Sequence, residues 1–239
     1  MPVIVTSMSQ AYREMTNDCW LESLKRTNPD ATIYIVSEDI EPDLYFHRLD
    51  STLGHAAFCE AARYELLIHP ELDQTDYRWQ PIRFSYKPFA IKQVSIAYPA
   101  EELYWFDADV EFTGPILYSE ICPRDLVGVS YLGRAAYNHS EAGFLGIGPF
   151  AARFIIAWFN YYKHGTLFNL SEWHDVVAMD RAMIESSMHR YNLSEDIHDK
   201  HPWPKTILAK FSRHYKGPGR KKDKFGSNDA LHGVVYRDV

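Results

Sequence analysis

The sequence predicts an α/β fold with a central, mostly parallel sheet flanked by helices, and three observations support this prediction. The chain has 239 residues, of which 46% are hydrophobic, and this suits one large domain with a buried core. It opens with a strand, a helix and a second strand, which is the order of a βαβ unit. Strand-like and helix-like segments then continue to alternate, which favours parallel strands joined by helices.

Each element follows from its local pattern. Short apolar or β-branched runs predict strands, and these are residues 3–6, 32–36, 103–106, 126–132 and 143–147. Apolar residues at helical spacing predict helices, and these are residues 11–26, 55–69, 87–98, 150–163 and 174–190. Pro70 and Pro99 end two of these helices, because proline cannot continue the helical hydrogen-bond ladder. Beyond Ser194 the regular pattern weakens.

Composition excludes several classes of protein. The net charge of −7 argues against general nucleic-acid binding, which favours a basic face. No run approaches the length of a membrane-spanning helix, and the N-terminus lacks the basic segment of a secretory signal peptide. The three cysteines, Cys19, Cys59 and Cys122, are odd in number and far apart. They favour free thiols in a reducing compartment, so we expect a cytoplasmic protein.

Two aspartates, Asp107 and Asp109, follow the strand at residues 103–106 and are separated by Ala108. Residues i and i+2 of an extended chain lie on the same face, so both carboxylates can point at one place. Like charges held that close repel each other unless a cation lies between them. A hard divalent cation prefers oxygen ligands and often carries phosphates. The pattern therefore indicates a metal–phosphate site, and the alternative is a solvated acidic turn.

A basic segment at residues 213–224 is the second candidate element of a site. It contains His214, two glycines at Gly217 and Gly219, and five nearby cations, which are Lys216, Arg220, Lys221, Lys222 and Lys224. Glycine lets backbone N–H groups approach a ligand, arginine suits phosphate, and a neutral imidazole can complete a metal shell. The alternative is a solvated basic tail. Together with the acidic pair, the segment indicates a diphosphate–metal site with Asp107, Asp109 and His214 as ligands.

The segments WFDADVEF and HYKGPGRKK resemble the GT-A fold glycosyltransferases, above all the family of glycogenin and the bacterial lipopolysaccharide galactosyltransferases. That family carries a D-x-D and a late H-x-x-G-x-x-K-P-W loop. Here His214 and Gly217 match, Arg220 stands where the family has lysine, and Lys221 and Lys222 replace proline and tryptophan.

The resemblance implies a GT-A, Rossmann-like nucleotide-diphospho-sugar transferase fold, with residues 1–239 forming a single catalytic domain. It implies transfer of a hexose from a nucleotide sugar, with a UDP-sugar preferred, to a hydroxyl acceptor with retention of configuration. It also implies Mn²⁺ (or Mg²⁺) as cofactor. Gly217 and Arg220 would bind the donor, and the basic loop at residues 213–224 would close over it.

A second, local resemblance concerns Glu172-Trp173-His174-Asp175, which is similar to the W-H-D-E segment of the blood-group and α-galactosyl transferases. It implies that Trp173 and His174 bind the acceptor. The position of the reactive glutamate is occupied by Val176, so Asp175 is the nearest candidate catalytic carboxylate. The alternative for this segment is an ordinary helix start with an acidic first turn.

Further candidates come from the same resemblance. Glu141 stands in a segment similar to the strand beside the acceptor cleft, and it would act as a catalytic or a sugar-orienting carboxylate. Arg83 and Lys87 lie where related enzymes place a basic nucleotide contact. Thr6 and Ser7 end the first strand, at the edge where an α/β sheet commonly meets a nucleotide. The alternatives are a loop charge for Glu141 and an ordinary helix-start lysine for Lys87.

Two other functions stay open from the sequence. The chain contains no P-loop, no H-E-x-x-H, no G-x-S-x-G and no G-x-G-x-x-G motif. A metal-dependent nucleotidyltransferase or phosphohydrolase could use the same D-x-D. A non-catalytic nucleotide-sugar-binding protein is the other alternative, because Val176 cannot act as a nucleophile or a base.

Overall fold

A computed structural model describes residues 2–122 and 127–216 of the chain. The strands in this part are β1 (Val3–Met8), β2 (Thr32–Ser37), β3 (Phe46–Arg48), β4 (Leu103–Phe106), β5 (Val110–Phe112), β6 (Val129–Leu132), β7 (Glu141–Ile147), β8 (Arg190–Asn192) and β9 (Ser212–His214). The α-helices are α1 (Gln10–Thr16), α2 (Cys19–Thr27), α3 (His55–Ile68), α4 (Pro81–Ala97), α5 (Tyr118–Ile121), α6 (Ala152–Lys163) and α7 (Asp175–Glu185).

Seven strands form one sheet in the order β3-β2-β1-β4-β7-β6-β8. All neighbouring pairs are parallel except those of β7, which runs antiparallel to β4 and to β6. The mostly parallel α/β sheet predicted from the sequence is therefore confirmed. The reversed direction of β7 has one consequence for the site: its first residues lie at the edge where β1, β2 and β4 end.

The sheet is buried on both faces, because alternate residues of its central strands enter two separate cores. Val5 and Trp105 belong to one core, which α3, α4, α6 and α7 cover. Ile4 and Phe106 belong to the other, which contains residues of α2 and of the segment at 203–211. This double burial fixes the register of β1 and β4 and so fixes the position of the residues that follow β4.

Several predicted boundaries were wrong. The predicted helix at 11–26 is two helices, since Asn17 and Asp18 adopt left-handed backbone with φ of 50° and 53°. The apolar spacing continues across this break and therefore conceals it. Helix α4 begins at Pro81, six residues earlier than predicted, and it carries Pro88 in its interior. Helix α7 ends at Glu185, and β8 starts at Arg190.

The chain after residue 194 is more regular than predicted. Ser212–His214 is a strand, β9, that pairs antiparallel with β5 in a second, two-stranded sheet. The predicted loop at 213–224 thus begins inside a strand, and its residues beyond 216 lie outside the described part of the chain. No helix in the described ranges is long and apolar enough to cross a bilayer. The three cysteines are free thiols, as expected from their number.

Candidate active site

Asp107, Asp109 and His214 converge at the carboxyl end of β4. One ligand atom from each lies within 4.8 Å of the others. His214 Nε2 is 3.0 Å from Asp109 Oδ1 and 4.0 Å from Asp107 Oδ2. Asp109 and His214 are buried, and Asp107 is partly exposed. The three predicted metal ligands are therefore brought together, with one of them open toward solvent.

The pairing of β9 with β5 places His214 beside the aspartates. Val110, the first residue of β5, lies opposite His214 in β9, so the end of β9 sits directly beside Asp109. The backbone N–H of Tyr215 also donates to the carbonyl of Asp109 over 3.0 Å. Gly143 leaves room for the imidazole, because a Cβ at this position would lie 2.5 Å from His214 Cε1. A separate strand and one glycine thus place the third ligand.

The donor set fits a divalent cation. Nε2 of His214 is buried and has no hydrogen-bond partner among the described residues, although Asp109 Oδ1 lies only 3.0 Å away. A buried polar atom without a hydrogen bond is costly unless another group satisfies it. Two carboxylates and one imidazole match the ligand preferences of Mn²⁺ and of related divalent ions.

Lys87 ties this triad to the start of α7. Its Nζ lies 3.0 Å from Asp107 Oδ1 and 2.7 Å from Asp175 Oδ2, and it donates to the carbonyl of Ala142 over 2.7 Å. Burial alone would lower the pKa of Lys87, but the two carboxylates outweigh burial and raise it well above its ordinary value. All three ammonium protons therefore have acceptors within the protein.

Asp175 is held in the same way. It is the first residue of α7 and is buried. Burial would raise its pKa, but Lys87 and His174 outweigh burial and lower it well below the ordinary value. The structure thus places this predicted catalytic carboxylate in an ion pair with Lys87, another predicted site residue.

Glu141 is the second predicted catalytic carboxylate and has its own lysine. It is buried at the start of β7, and its Oε1 forms an ion pair with Lys216 Nζ. Burial would raise its pKa, but Lys216, His201 and His214 outweigh burial and hold the pKa well below its usual range. His201 Nδ1 lies 3.9 Å from Glu141 Oε2, which is too far for a hydrogen bond.

The charges at this edge are unbalanced in favour of a cation. Among the described residues, four carboxylates, Asp107, Asp109, Glu141 and Asp175, face two lysines, Lys87 and Lys216. A divalent ion at the triad would relieve the repulsion between Asp107 and Asp109.

The ends of β1 and β2 border the site on its other side. Thr6 is buried, and its hydroxyl has no hydrogen-bond partner among the described residues. Ser7 is partly exposed and lies near Glu38, whose pKa it lowers. Burial and the nearby Asp39 raise the pKa of Glu38 to about 7, against the opposing charge of Arg83. A cleft of about 340 Å³ lies at the ends of β2 and β3, lined in part by Glu38 and Tyr86.

Trp173 and His174 do not offer surface to solvent in this structure. Trp173 is buried against the rings of His69, Trp79 and Phe168. His174 is buried too and caps α7, accepting from the N–H of Val176. Their predicted acceptor role therefore has no exposed side chain to support it.

Two predicted donor-binding residues, Gly217 and Arg220, lie outside the described residues. Arg83 is described: it lies exposed on α4, one turn before Lys87, and bonds Gln80 over 3.1 Å. The donor-binding predictions for Arg83, Thr6 and Ser7 stay predictions.

Two solved structures share this architecture. A glycosyltransferase involved in the glycosylation of the major capsid of PBCV-1 has a TM-score of 0.51 at 12% sequence identity, over 93% of this chain and 98% of that chain. The galactosyltransferase LgtC, in complex with donor and acceptor sugar analogs, has a TM-score of 0.50 at 12% identity, over 94% of this chain and 95% of that chain. The chain has a GT-A fold. No protein-family model and no curated protein sequence matches it.

The GT-A fold was predicted from the sequence, and this prediction is confirmed. At 12% identity the likeness establishes the fold alone, because one fold supports many functions. The function of this GT-A chain has to be argued from its own site.

Sequence reasoning missed several residues of the site. The indole Nε1 of Trp105 donates to Asp107 Oδ1 over 2.8 Å. The i, i+2 spacing of these two residues is a local signal that could have shown this contact. Tyr12, whose pKa is raised by burial and by Asp109, and Glu38 come from distant segments and carry no such signal. The same holds for His201, which reaches Glu141 from 60 residues further along the chain.

Proposed function

We propose that this chain is a metal-dependent glycosyltransferase that moves a hexose from a nucleotide sugar, preferably a UDP-sugar, to a hydroxyl acceptor. The observation that carries the proposal is the convergence of Asp107, Asp109 and His214 at the carboxyl edge of the sheet. Two solved proteins with this fold are a glycosyltransferase and a galactosyltransferase, the latter complexed with donor and acceptor sugar analogs. They support the proposal by analogy of fold.

In this proposal Asp107, Asp109 and His214 hold Mn²⁺ or Mg²⁺. The bound ion would supply positive charge against which a diphosphate leaving group is stabilised. Lys87 keeps Asp107 in place through its 3.0 Å contact, and Trp105 bonds the same carboxylate oxygen over 2.8 Å. Residues that orient a metal ligand in this way commonly tune its affinity for the ion.

The nucleoside part of the donor is proposed to occupy the cleft at the ends of β2 and β3. Thr6 and Ser7 lie near the end of β1, which pairs with β2. Arg83 and Ser7 both lie close enough to Glu38 to lower its pKa. Ligands of open α/β sheets bind beyond the carboxyl ends of the strands, which favours this placement. Gly217 and Arg220 are proposed to contact the diphosphate, as the sequence motif suggests.

Retention of configuration is proposed together with an orienting role for the two buried carboxylates. Asp175 and Glu141 each form an ion pair with a lysine, so neither is a free nucleophile in this structure. Val176, at the position of the reactive glutamate in the blood-group transferases, is an apolar side chain on α7. We therefore assign Asp175 and Glu141 to holding the site in shape and orienting sugars.

A thermal-shift panel of nucleotide sugars with and without Mn²⁺ tests the proposal. A ligand that binds only the folded state raises its apparent stability by mass action. We expect at least one UDP-sugar to raise the Tm of the wild type when Mn²⁺ is present, and Asp109→Asn to abolish the shift. Asp30→Asn, an exposed aspartate in the turn before β2, is the matched control and should keep the shift.

Turnover then separates the candidate reactions. Release of UDP that requires the intact sugar donor and increases with an added hydroxyl acceptor supports glycosyl transfer. Hydrolysis of UDP or of unrelated nucleotides at the same rate would instead favour a phosphohydrolase. Binding of the donor with no turnover for any acceptor would favour a non-catalytic binding protein.

A further inference from the structure

On the basis of the function proposed above, we propose that Tyr77, Phe84, His139 and Glu172 form the binding face for a neutral saccharide acceptor. These four side chains surround the buried ring of His174, and we call them the aromatic face. They come from three separate segments: the residues before α4 and its first turn, the residues before β7, and the residues before α7.

The rings of this face are arranged around one centre. Tyr77, Phe84 and His139 have ring centroids 5.4 Å, 6.0 Å and 5.9 Å from that of His174. Tyr77 is 56% exposed, whereas Phe84 and His139 are partly buried. Exposed aromatic surface fixed on a packed support is suited to the apolar faces of sugar rings, because it costs little ordering entropy on binding.

The polar atoms of the face select a neutral partner rich in hydroxyl groups. Glu172 Oε2 is 2.7 Å from His174 Nε2 and 3.8 Å from His139 Nε2. Glu172 Oε1 and the hydroxyl of Tyr77 have no hydrogen-bond partner among the described residues. A carboxylate oxygen accepts from hydroxyls and repels phosphate or sulfate, so an anionic acceptor does not suit this face.

Two neighbouring arginines have their N–H groups engaged within the protein. Arg78 bonds Asp76 over 2.6 Å. Arg134 donates to the backbone carbonyls of His139 and Ser140 over 2.7 Å and 2.5 Å. Arg83 lies over the ring of Phe84, 5.5 Å from its centroid, and donates to the neutral Gln80. The face therefore offers acceptor atoms and aromatic surface beside one exposed guanidinium, and its preference for a neutral partner rests on Glu172.

The face lies next to the proposed reaction centre. His174 at its middle is followed by Asp175, which pairs with Lys87, which in turn contacts Asp107 of the triad. Phe84 and Lys87 lie one turn apart on α4, so one helix contributes to both places. The aromatic face is thus linked to the triad through the buried Lys87–Asp175 pair.

Saturation-transfer NMR of the full chain with methyl glycosides of glucose, galactose, mannose and xylose tests the face without requiring catalysis. We expect at least one methyl glycoside to give a signal with the wild type. Tyr77→Ala and Glu172→Gln should each reduce that signal at least threefold. Tyr64→Ala removes a tyrosine of similar exposure, 61%, from α3 and should leave the signal unchanged.

The donor measurement separates this inference from the function on which it rests. In the supporting outcome, Tyr77→Ala loses the glycoside signal but keeps the Mn²⁺-dependent thermal shift with the nucleotide sugar. An unchanged glycoside signal in Tyr77→Ala and Glu172→Gln, or no signal for any glycoside with the wild type, would overturn the aromatic face alone. If the wild type shows no donor shift either, the proposed function fails and the acceptor face fails with it.

Discussion

Two lysine–carboxylate pairs flank the triad, and they differ in how deeply they are buried. In the Lys87–Asp175 pair the two side chains are 8% and 4% exposed, whereas in the Lys216–Glu141 pair they are 36% and 1% exposed. The carboxylate is buried in both pairs. They differ in the lysine, which is enclosed in the first pair and reaches the surface in the second.

The difference shows that the two ion pairs have different structural roles. Lys87 joins α4, the end of β4 and the start of α7, and the protein surrounds it with acceptors. Losing it would leave buried charge without a counter-ion. Lys216 attaches the residues after β9 to the start of β7. Water can replace part of its contribution, because charge at the surface is screened.

The largest expected effect is that of Lys87→Met. The substitution leaves Asp175 buried without its cation, so we expect the free energy of unfolding to fall by about 3–5 kcal/mol. Urea denaturation measures this change. Lys205→Met removes an exposed lysine that pairs with Asp199 over 2.8 Å, and it should change stability by less than about 1 kcal/mol. Equal denaturation midpoints for the two variants would refute the distinction.

A carboxylate without a lysine should show the opposite pH dependence. The pKa of Glu38 is raised to about 7 by burial and by Asp39, so its stabilising protonated form is present at low pH and is lost as pH rises through 7. Asp175 has a lowered pKa, and its contribution is lost as pH falls below the ordinary carboxyl range, about 4.

Glu38→Gln should therefore become more stable relative to the wild type as pH rises from 5 to 8. We expect a change of about 1–2 kcal/mol, below the roughly 3 kcal/mol that the shift corresponds to, because Glu38 is only partly buried and water screens its charge. Thermal unfolding at both pH values measures it. A stability difference that stays constant with pH would show that Glu38 titrates normally.

Gly143→Ala should weaken metal binding without a comparable loss of stability. The added Cβ would lie 2.5 Å from His214 Cε1, so the imidazole has to move from its place beside Asp109. We expect Mn²⁺ affinity to fall about tenfold or more, as for other changes that displace a ligand. Gly114→Ala is the control, because its Cβ would meet the nearest atom at 3.9 Å. Unaltered Mn²⁺ affinity in Gly143→Ala would show that His214 is not fixed by this contact.

Lys216→Met should have the smallest effect on stability. Its side chain is 36% exposed, and His201 and His214 remain near Glu141. We expect the free energy of unfolding to fall by about 1 kcal/mol, well below the effect of Lys87→Met. A loss as large as that of Lys87→Met, again by urea denaturation, would remove the contrast between the two pairs.

The features that could be predicted from the sequence are those set by residues close together in the chain. The strand at 103–106, the common side of Asp107 and Asp109, and the opening βαβ unit follow from local patterns. The mostly parallel sheet follows from the alternation of strands and helices. These predictions agree with β4, β1 and β2 as the structure has them.

The features of the site that could not be predicted depend on contacts between residues far apart in the sequence. His214 was predicted as a ligand from a motif. Its position beside the aspartates, however, depends on the pairing of β9 with β5, about a hundred residues earlier in the chain. Lys87 was predicted to contact the donor, whereas the structure surrounds it with Asp107, Asp175 and the carbonyl of Ala142. No local pattern in the sequence indicates that a lysine has three acceptors within the protein.

The central claim is that Asp107, Asp109 and His214 hold a divalent ion that a nucleoside diphosphate shares. Calorimetric titration of Mn²⁺ into the wild type and His214→Ala, each with and without UDP, tests it most directly. We expect one Mn²⁺ per wild-type chain, tighter binding with UDP, and at least tenfold weaker binding in His214→Ala, while exposed His198→Ala matches the wild type. Equal Mn²⁺ affinity in the wild type and His214→Ala would contradict the claim.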